Sequence, residues 1–299
     1  MESWKNNRLV FAVLSVPGVA WLTLFFVIPL GMIWLLSFGE KSGLVDVNIT
    51  GTLDNYLRIT DPVYLKIFWK TLWISALSTA ICLLVAYPLA MGICFASARW
   101  RTWLLMAVIL PFWINLLIRT YALIAVFRTR GYLNFTLEWF WDLAFLDKLI
   151  GPFQPLELLY NNGAVIVGLV YVYIPFMVLP LYATIDRLDR SFLEASLDLG
   201  ASQWQTFWRV TVPLTMPGIV TGIILVFIPT IGTFLTPELL GGANATMIGN
   251  VIERQFKEAN DWPFGAALSF LLMYFTFAAL AIRAFVAGRS QRASTVGHR

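Results

Sequence analysis

The chain has 299 residues, of which 59% are hydrophobic and 13% are charged, and its mean hydropathy is +0.75. Soluble domains carry about 25% charged residues, so the composition excludes an ordinary soluble protein and indicates a membrane protein. The formal net charge is +4, with two cysteines and one histidine. Cys82 and Cys94 lie roughly 18 Å apart along one predicted helix, too far for a disulfide. The single histidine, His298, lies in a polar tail, so we expect no metal site.

Six stretches are long enough to cross a membrane core about 30 Å thick, which needs about 20 apolar residues in a helix. They are residues 10–36, 72–95, 103–126, 164–185, 218–239 and 264–285. The sequence therefore predicts an all-α, multi-pass membrane protein with six transmembrane helices. The first stretch is too long for the apolar region of a signal peptide, so we expect it to stay in the mature chain.

Basic residues favour an orientation with both termini in the cytoplasm. The bias is moderate over the whole chain and clearest at residues 96–102, which contain two arginines and no acid. Residues 39–69 and 127–163 are then predicted to form two long loops outside the membrane, the first and the second outer cap. Within the second cap, residues 133–149 combine Phe, Trp and Leu with acids, a pattern typical of an amphipathic helix at the membrane interface or of a short packed surface helix. Gly241-Gly242 predicts a helix end.

Residues 186–217 form a polar elbow between two apolar spans on the predicted cytoplasmic side. Ser191 and Glu194 have the spacing of a capping box at a helix start, and so do Ser202 and Gln205. Gly200 predicts a left-handed helix end between the two short helices.

In this elbow, Pro213 is expected to end the second short helix. Short isolated helices are marginal in water, so a docking partner would stabilise such a pair. A folded loop without a partner is the alternative, and the residues alone leave both open.

The elbow resembles the Glu-Ala-Ala-x3-Gly-x9-Ile-x-Leu-Pro signature of permease subunits of binding-protein-dependent ABC importers. Glu194, Ala195, Gly200 and Pro213 match the signature, while Ser196, Val210 and Val212 replace residues of similar volume. The resemblance implies that the elbow is the coupling helix, seated in a cleft of a cytoplasmic ATPase.

Further stretches resemble the permeases of spermidine/putrescine importers, over most of residues 54–265. These stretches are Leu110–Trp113, Leu117–Tyr121, Tyr173–Pro180, Pro237–Gly242, Met247–Asn250 and Asp261–Pro263. The resemblance implies the type I ABC importer permease architecture in a bacterial inner membrane. It divides the chain into a first helix and outer loop (1–66), a transmembrane core with the coupling loop 186–217 (67–285) and a cytoplasmic tail (286–299).

The resemblance also implies the partners: a second permease forming a heterodimer, a dimeric ATPase and an external substrate-binding protein, with no nucleic acid. The sequence has no Gly-rich phosphate loop of the Gly-x-x-x-x-Gly-Lys-Ser/Thr type. We therefore expect no cofactor in this chain, with ATP and Mg²⁺ bound by the partner ATPase, and no catalytic residue.

Cargo contacts are expected from a carboxylate and from aromatic faces, because a polyamine is a flexible polycation. Glu238 is the acid near a span, and it is either a cation contact or an interfacial acid that pairs with Arg119. The candidate aromatic residues are Trp113, Tyr121, Tyr171, Tyr173 and Phe234, each of which has packing as its alternative. Arg119 itself is expected to form an ion pair or to cap a carbonyl group. Pro229 and Gly232 predict a kink in the fifth span.

The expected mechanism is alternating access, in which ATP-driven closure of the ATPase moves the elbow as a lever. An ABC importer permease for another solute is one alternative, and an ion-gradient-driven carrier without an ATPase is another. The elbow disfavours the second, and so does the absence of a chain of intramembrane acids.

Overall fold

A computed structural model describes residues 8–43, 46–143 and 151–296. In chain order the helices are α1 (Arg8–Leu22), α2 (Ile28–Leu36), α3 (Asp54–Ile59), α4 (Pro62–Phe95), α5 (Ala98–Ile109), α6 (Leu116–Phe127), α7 (Tyr132–Leu143), α8 (Asn162–Ile185), α9 (Ser191–Asp198), α10 (Gln203–Thr206), α11 (Val212–Gly232), α12 (Leu235–Gly241), α13 (Ile248–Lys257) and α14 (Trp262–Val296). Two short strands, β1 (Gly39–Lys41) and β2 (Val47–Ile49), pair antiparallel, with Gly39 opposite Ile49.

Five helices of the described chain are long and apolar enough to cross a membrane. The number of candidate spans is six if the bent helix pair that includes α5 and α6 counts as one span. The five are Val13–Leu36, Pro62–Phe95, Asn162–Ile185, Gln203–Gly232 and Trp262–Ala281. The prediction of an all-α membrane protein is confirmed. A π-helical turn, Thr23–Val27, joins α1 and α2 within the first span.

The third predicted span, 103–126, is not one straight helix. Helix α5 passes into a 3-10 turn, Leu110–Trp113, and the chain then bends by 98° before α6. Two local features explain the break. Pro111 lacks a backbone donor, and the Asn115 side chain caps the new helix by accepting a hydrogen bond from the Leu117 amide at 2.8 Å.

The fifth predicted span, 218–239, differs at both ends. The helix runs continuously from Gln203 to Gly232, and it then stops at Thr233 and Phe234 before α12 begins. The predicted kink at Pro229 and Gly232 is therefore a complete interruption of the helix. We call residues 233–234 the break. Helix α12 ends at Gly242, whose φ of +58° agrees with the predicted stop.

The described residues fall into two compact units, one formed by the chain up to Leu65 and from Val251 onward, the other by Lys66–Asn250. In the first unit, Asn55 on α3 donates to the carbonyl oxygens of Ser37 and Gly39 and so fixes the end of α2. Arg58 pairs with Asp261 at 2.9 Å and lies over the Phe264 ring.

The second unit has two apolar cores, both centred on α8. One joins α4, α8 and α11 through buried residues such as Ala86, Val178 and Val226. The other joins α4, α8 and α12 through Ile74, Leu169 and Leu240. Helix α8 is thus the central element against which the helices that carry the candidate sites pack.

Two predicted segments extend beyond what the structure describes. The helix expected at 133–149 is present as α7, with an exposed face of Tyr132, Phe135 and Trp139; its remainder, 144–150, lies outside the described residues. Helix α14 continues to Val296, and His298 lies outside the described residues.

Candidate functional site

The first helix of the elbow, α9, begins without the predicted capping box. Ser191 is already the first helical residue, and the preceding position, Arg190, makes no side-chain cap. The Asp189 carboxylate instead accepts a hydrogen bond from the Ser191 amide at 3.0 Å. This bond lowers the pKa of the Asp189 carboxyl group. The box prediction was wrong because an acid two residues earlier reaches the same orphan amide.

The turn and the second capping box are confirmed. Gly200 has φ +85°, a left-handed conformation that favours glycine. The Ser202 hydroxyl accepts from the Gln205 amide, and the Gln205 side chain accepts from the Ser202 amide. The hydroxyls of Ser196 and Thr206 lie 2.9 Å apart and join the two short helices.

Pro213 does not end the second short helix, contrary to the prediction. A π-helical turn, Phe207–Thr211, links α10 to α11, and Pro213 occupies the first turn of α11. A π turn shifts the hydrogen-bond register by one residue, and a proline is tolerated in a first helical turn because its missing amide has no partner to lose there. The second helix of the elbow is therefore continuous with the fifth span.

The elbow, although rich in polar residues, exposes several large apolar side chains. Leu199 is 89% exposed at its tip, and the other exposed residues are Phe192, Leu197, Trp204 and Trp208. Phe207 anchors the tryptophans, because its ring contacts Trp204, Trp208 and the buried Tyr87 of α4. Exposed apolar patches next to polar residues are typical of protein interaction sites.

Charged residues fix the root of the elbow. Arg101 at the start of α5 forms an ion pair with Asp186 at the end of α8. The Arg101 guanidinium also donates to the Tyr182 hydroxyl and lies over its ring, 5.0 Å from the centroid. The two loops on this side of the second unit are thereby joined where the elbow begins.

The predicted pathway residues Phe234 and Glu238 lie together at the break. The Asn250 amide nitrogen donates to the Phe234 carbonyl oxygen at 2.9 Å and to the Glu238 carboxylate at 2.7 Å. The Tyr173 hydroxyl on α8 lies near the Thr233 side chain, so Tyr173 borders the same break. Three of the six candidate pathway residues therefore share one neighbourhood.

Aromatic rings extend from this neighbourhood toward the bend after α5. The Tyr173 ring lies 6.1 Å from the Phe176 ring, which contacts the Phe112 ring edge-on at 5.3 Å. Trp113 follows Phe112 but is itself 85% exposed. Tyr121 is exposed on α6, and in the described part of the chain no hydrogen bond or ring contact joins it to the break. In the described structure, Trp113 and Tyr121 have no such contact with the group formed by Tyr173, Phe234 and Glu238.

Arg119 on α6 is 6% exposed, and its Nε and Nη1 atoms have no hydrogen-bond partner among the described residues. The expected ion pair or carbonyl cap is not made by these two atoms, and the Glu238 carboxylate accepts a hydrogen bond from the Asn250 amide.

Sequence reasoning missed Asn250, Thr233 and Phe176. Asn250 is the last residue of Met247–Asn250, one of the stretches that resemble spermidine/putrescine permeases, but the sequence alone indicates no role for it. The signal that was available is a lone amide residue directly after Gly249, but its partners are 12 and 16 positions away in the sequence. Among the described residues no group of three or more His, Cys, Asp or Glu side chains could hold a metal ion.

Residues 86–291 match the model of the family "Binding-protein-dependent transport system inner membrane component". The match covers more than half of the chain. The chain belongs to this family.

Members of the family that are similar to the chain are named for polyamine transport. The chain is 44% identical over 268 residues to the "Spermidine/putrescine transport system permease protein PotB" of Salmonella typhimurium strain SL1344, covering 90% of both chains. It is 44% identical to the protein of the same name from Escherichia coli K12 over 254 residues, covering 85% of this chain and 89% of that one.

The fold is also that of solved ABC transporters. A bacterial transporter described as importing the acidic polysaccharide alginate superimposes with a TM-score of 0.70 at 20% identity, covering 97% of this chain and 98% of the other. At this identity the likeness shows the fold alone, which is the predicted type I permease architecture. The chain is thus a transport subunit of an inner membrane ABC system.

Proposed function

We propose that this chain is the permease subunit of an ATP-driven importer that moves polyamines such as spermidine and putrescine into the cytoplasm. The observation that carries the proposal is the identity of 44% over 90% of the chain to permeases named for this transport. The carboxylate of Glu238 near Tyr173 and Phe234 supports it, because an acid beside aromatic faces suits an ammonium group. The chain itself performs no covalent chemistry in this scheme.

The proposed partners are a second permease, a dimeric ATPase that binds ATP and Mg²⁺, and a soluble substrate-binding protein outside the membrane. The exposed apolar face of the elbow supports an ATPase contact, with Glu194 on the first turn of α9 facing solvent. Because the elbow continues into the fifth span through the π turn, a displacement of the elbow is transmitted to the break near Glu238. Transport is then a shift between two conformations, each favoured by what binds it.

The test is uptake by the full assembly reconstituted in vesicles, with the native chain and Glu194→Lys in parallel. We expect ATP-dependent uptake of labelled spermidine that unlabelled putrescine competes with and inorganic anions do not. Glu194→Lys should lower uptake about tenfold or more, because a reversed charge at a docking surface costs several kcal/mol. The variant Glu40→Lys, an exposed charge reversal on β1, is the matched control and should transport normally.

Three results would contradict the proposal. Uptake without the ATPase would favour a gradient-driven carrier. Competition by anions in place of polyamines would favour another cargo. Full uptake and ATPase association by Glu194→Lys would remove the elbow as the coupling site.

A further inference from the structure

Asn250 is a buried amide whose three hydrogen-bonding groups are all used. It is 1% exposed and lies in the first turn of α13. Its amide nitrogen donates to Phe234 and to Glu238, and its carbonyl oxygen accepts from the Met247 amide at 3.1 Å. One side chain therefore joins the break, the carboxylate and the loop before α13.

The start of α13 lies directly against the break. A Cβ atom at Gly249 would come within 2.5 Å of the Thr233 carbonyl oxygen and 2.9 Å of the Gly232 carbonyl oxygen, so only glycine allows this approach. The Ile248 amide is held from the other side by the Thr71 hydroxyl of α4 at 2.9 Å. The position of Asn250 is thus set by backbone contacts on both sides.

Interrupted helices within a membrane protein need partners for the backbone groups that the interruption frees. Non-helical backbone at membrane depth is tolerated where it is buried in protein or lines a cavity. Phe234 lies in this non-helical stretch, and its carbonyl oxygen accepts two hydrogen bonds, one from the Glu238 amide of α12 at 3.0 Å and one from the Asn250 side-chain amide. Because the second donor of the same amide binds Glu238 Oε2, the orientation of the carboxyl group is tied to the geometry of the break.

We infer that Asn250 is a positioning residue for cargo recognition, which holds the Glu238 carboxylate in register with the break of the fifth span. The inference rests on the proposed function and assigns a role to a residue outside the predicted site. Asn250 touches the carboxylate and not the cargo. Movement of the fifth span would then carry the carboxylate with it, because the amide bonds both.

The test uses variants that move the negative charge from position 238 to position 250 and the side-chain amide from position 250 to position 238. Asn250→Asp keeps the shape and the acceptor for Met247 but replaces the donor by a second carboxylate facing Glu238. Glu238→Gln removes the charge alone. In the double variant Glu238→Gln/Asn250→Asp the introduced glutamine amide can donate to the introduced aspartate, so the bond returns with the charge moved.

For Asn250→Asp we expect the KM for spermidine uptake to rise about tenfold or more, since a hydrogen bond to a charged group is lost, and the thermal midpoint of the assembly to fall. The double variant should regain part of the lost thermal stability, because the bond between the two side chains returns and the donor to the Phe234 carbonyl oxygen does not, and it should not regain the native KM. Asn134→Asp is the matched control. Asn134 is also buried and fully bonded, to the Arg128, Thr129 and Leu156 carbonyl groups, with no acid among those partners; its substitution should lower stability and leave KM unchanged.

An unchanged KM in Asn250→Asp, or a double variant no more stable than Asn250→Asp, would overturn the inference. If Asn250→Asp alone does not assemble, the double variant decides, since recovered assembly supports the bond and failed assembly contradicts it. The proposed function has its own readout in these experiments, because a native assembly that takes up no polyamine contradicts that proposal. The stability comparison between the single and double variants stays interpretable in either case.

Discussion

Glu238 is an acid at the end of a span whose carboxylate is positioned by a neighbouring helix. Its carboxylate is bound by a neutral amide, and the aromatic rings of Tyr173 and Phe176 extend from the same neighbourhood. An acid near a membrane span is costly and is usually functional. The sequence identifies Glu238 on this ground, whereas the amide that holds it comes from a helix that follows later in the chain.

We predict that Glu238→Gln lowers the apparent affinity for spermidine about tenfold while leaving assembly intact. Glutamine has nearly the same shape, and its side-chain oxygen can still accept from Asn250, so only the charge is lost. A hydrogen bond to a charged group contributes about 1.5–3 kcal/mol, which corresponds to a tenfold or larger loss of affinity. Labelled uptake at varied spermidine concentration measures the change, and copurification of the ATPase measures assembly. Glu157→Gln, an exposed outer acid, is the control. Equal uptake by the native and Glu238→Gln proteins would remove Glu238 from the pathway.

Helices α8 and α11 pack through glycines that let their backbones approach. A Cβ atom at Gly218 would clash with the Thr184 side chain and would lie 2.9 Å from the Pro180 carbonyl oxygen. One turn later, a Cβ atom at Gly222 would meet mainly the Met177 sulfur, at 2.5 Å. The two positions differ because a thioether can move aside and a backbone carbonyl group cannot.

Gly218→Ala should therefore destabilise the protein more than Gly222→Ala. Overpacking of a close helix contact costs about 1–3 kcal/mol, and we expect the upper part of that range for Gly218→Ala and the lower part for Gly222→Ala. Thermal unfolding of the detergent-solubilised protein gives the order. Equal midpoints for the two variants would show that the Pro180 backbone is less constrained than its contacts indicate.

At the scale of the whole molecule, the apolar exterior is too large for an isolated chain in water. No residue in the most apolar window of the first span is buried, and only 39–50% of that window is buried in the other four spans. Such an apolar surface is suited to contact with lipid and with the proposed second permease. The orientation of the assembly then determines on which side each loop meets its partner.

Site-directed labelling tests the predicted orientation. In a background with Cys82→Ala and Cys94→Ala, we expect Thr129→Cys to react with a membrane-impermeant thiol reagent on intact cells. Ser97→Cys should react only after permeabilisation, because the loop before α5 is predicted to face the cytoplasm. Both positions are exposed, and the Ser97 side chain makes no capping hydrogen bond. The opposite labelling pattern would invert the orientation and place the elbow outside.

The sequence by itself determines the class, the number of spans and the turn of the elbow. These depend on local quantities: the length of an apolar stretch, the glycine at Gly200 and the reciprocal caps of Ser202 and Gln205. The 98° bend was missed although its elements, Pro111 and Asn115, are local, because the apolar stretch reads continuously through them. Only the tertiary structure decides that Asn250 holds Glu238 at the break and that Arg119 is buried. The reason is physical, since those contacts join helices that are distant in sequence and are formed only when α8, α11 and α13 pack together.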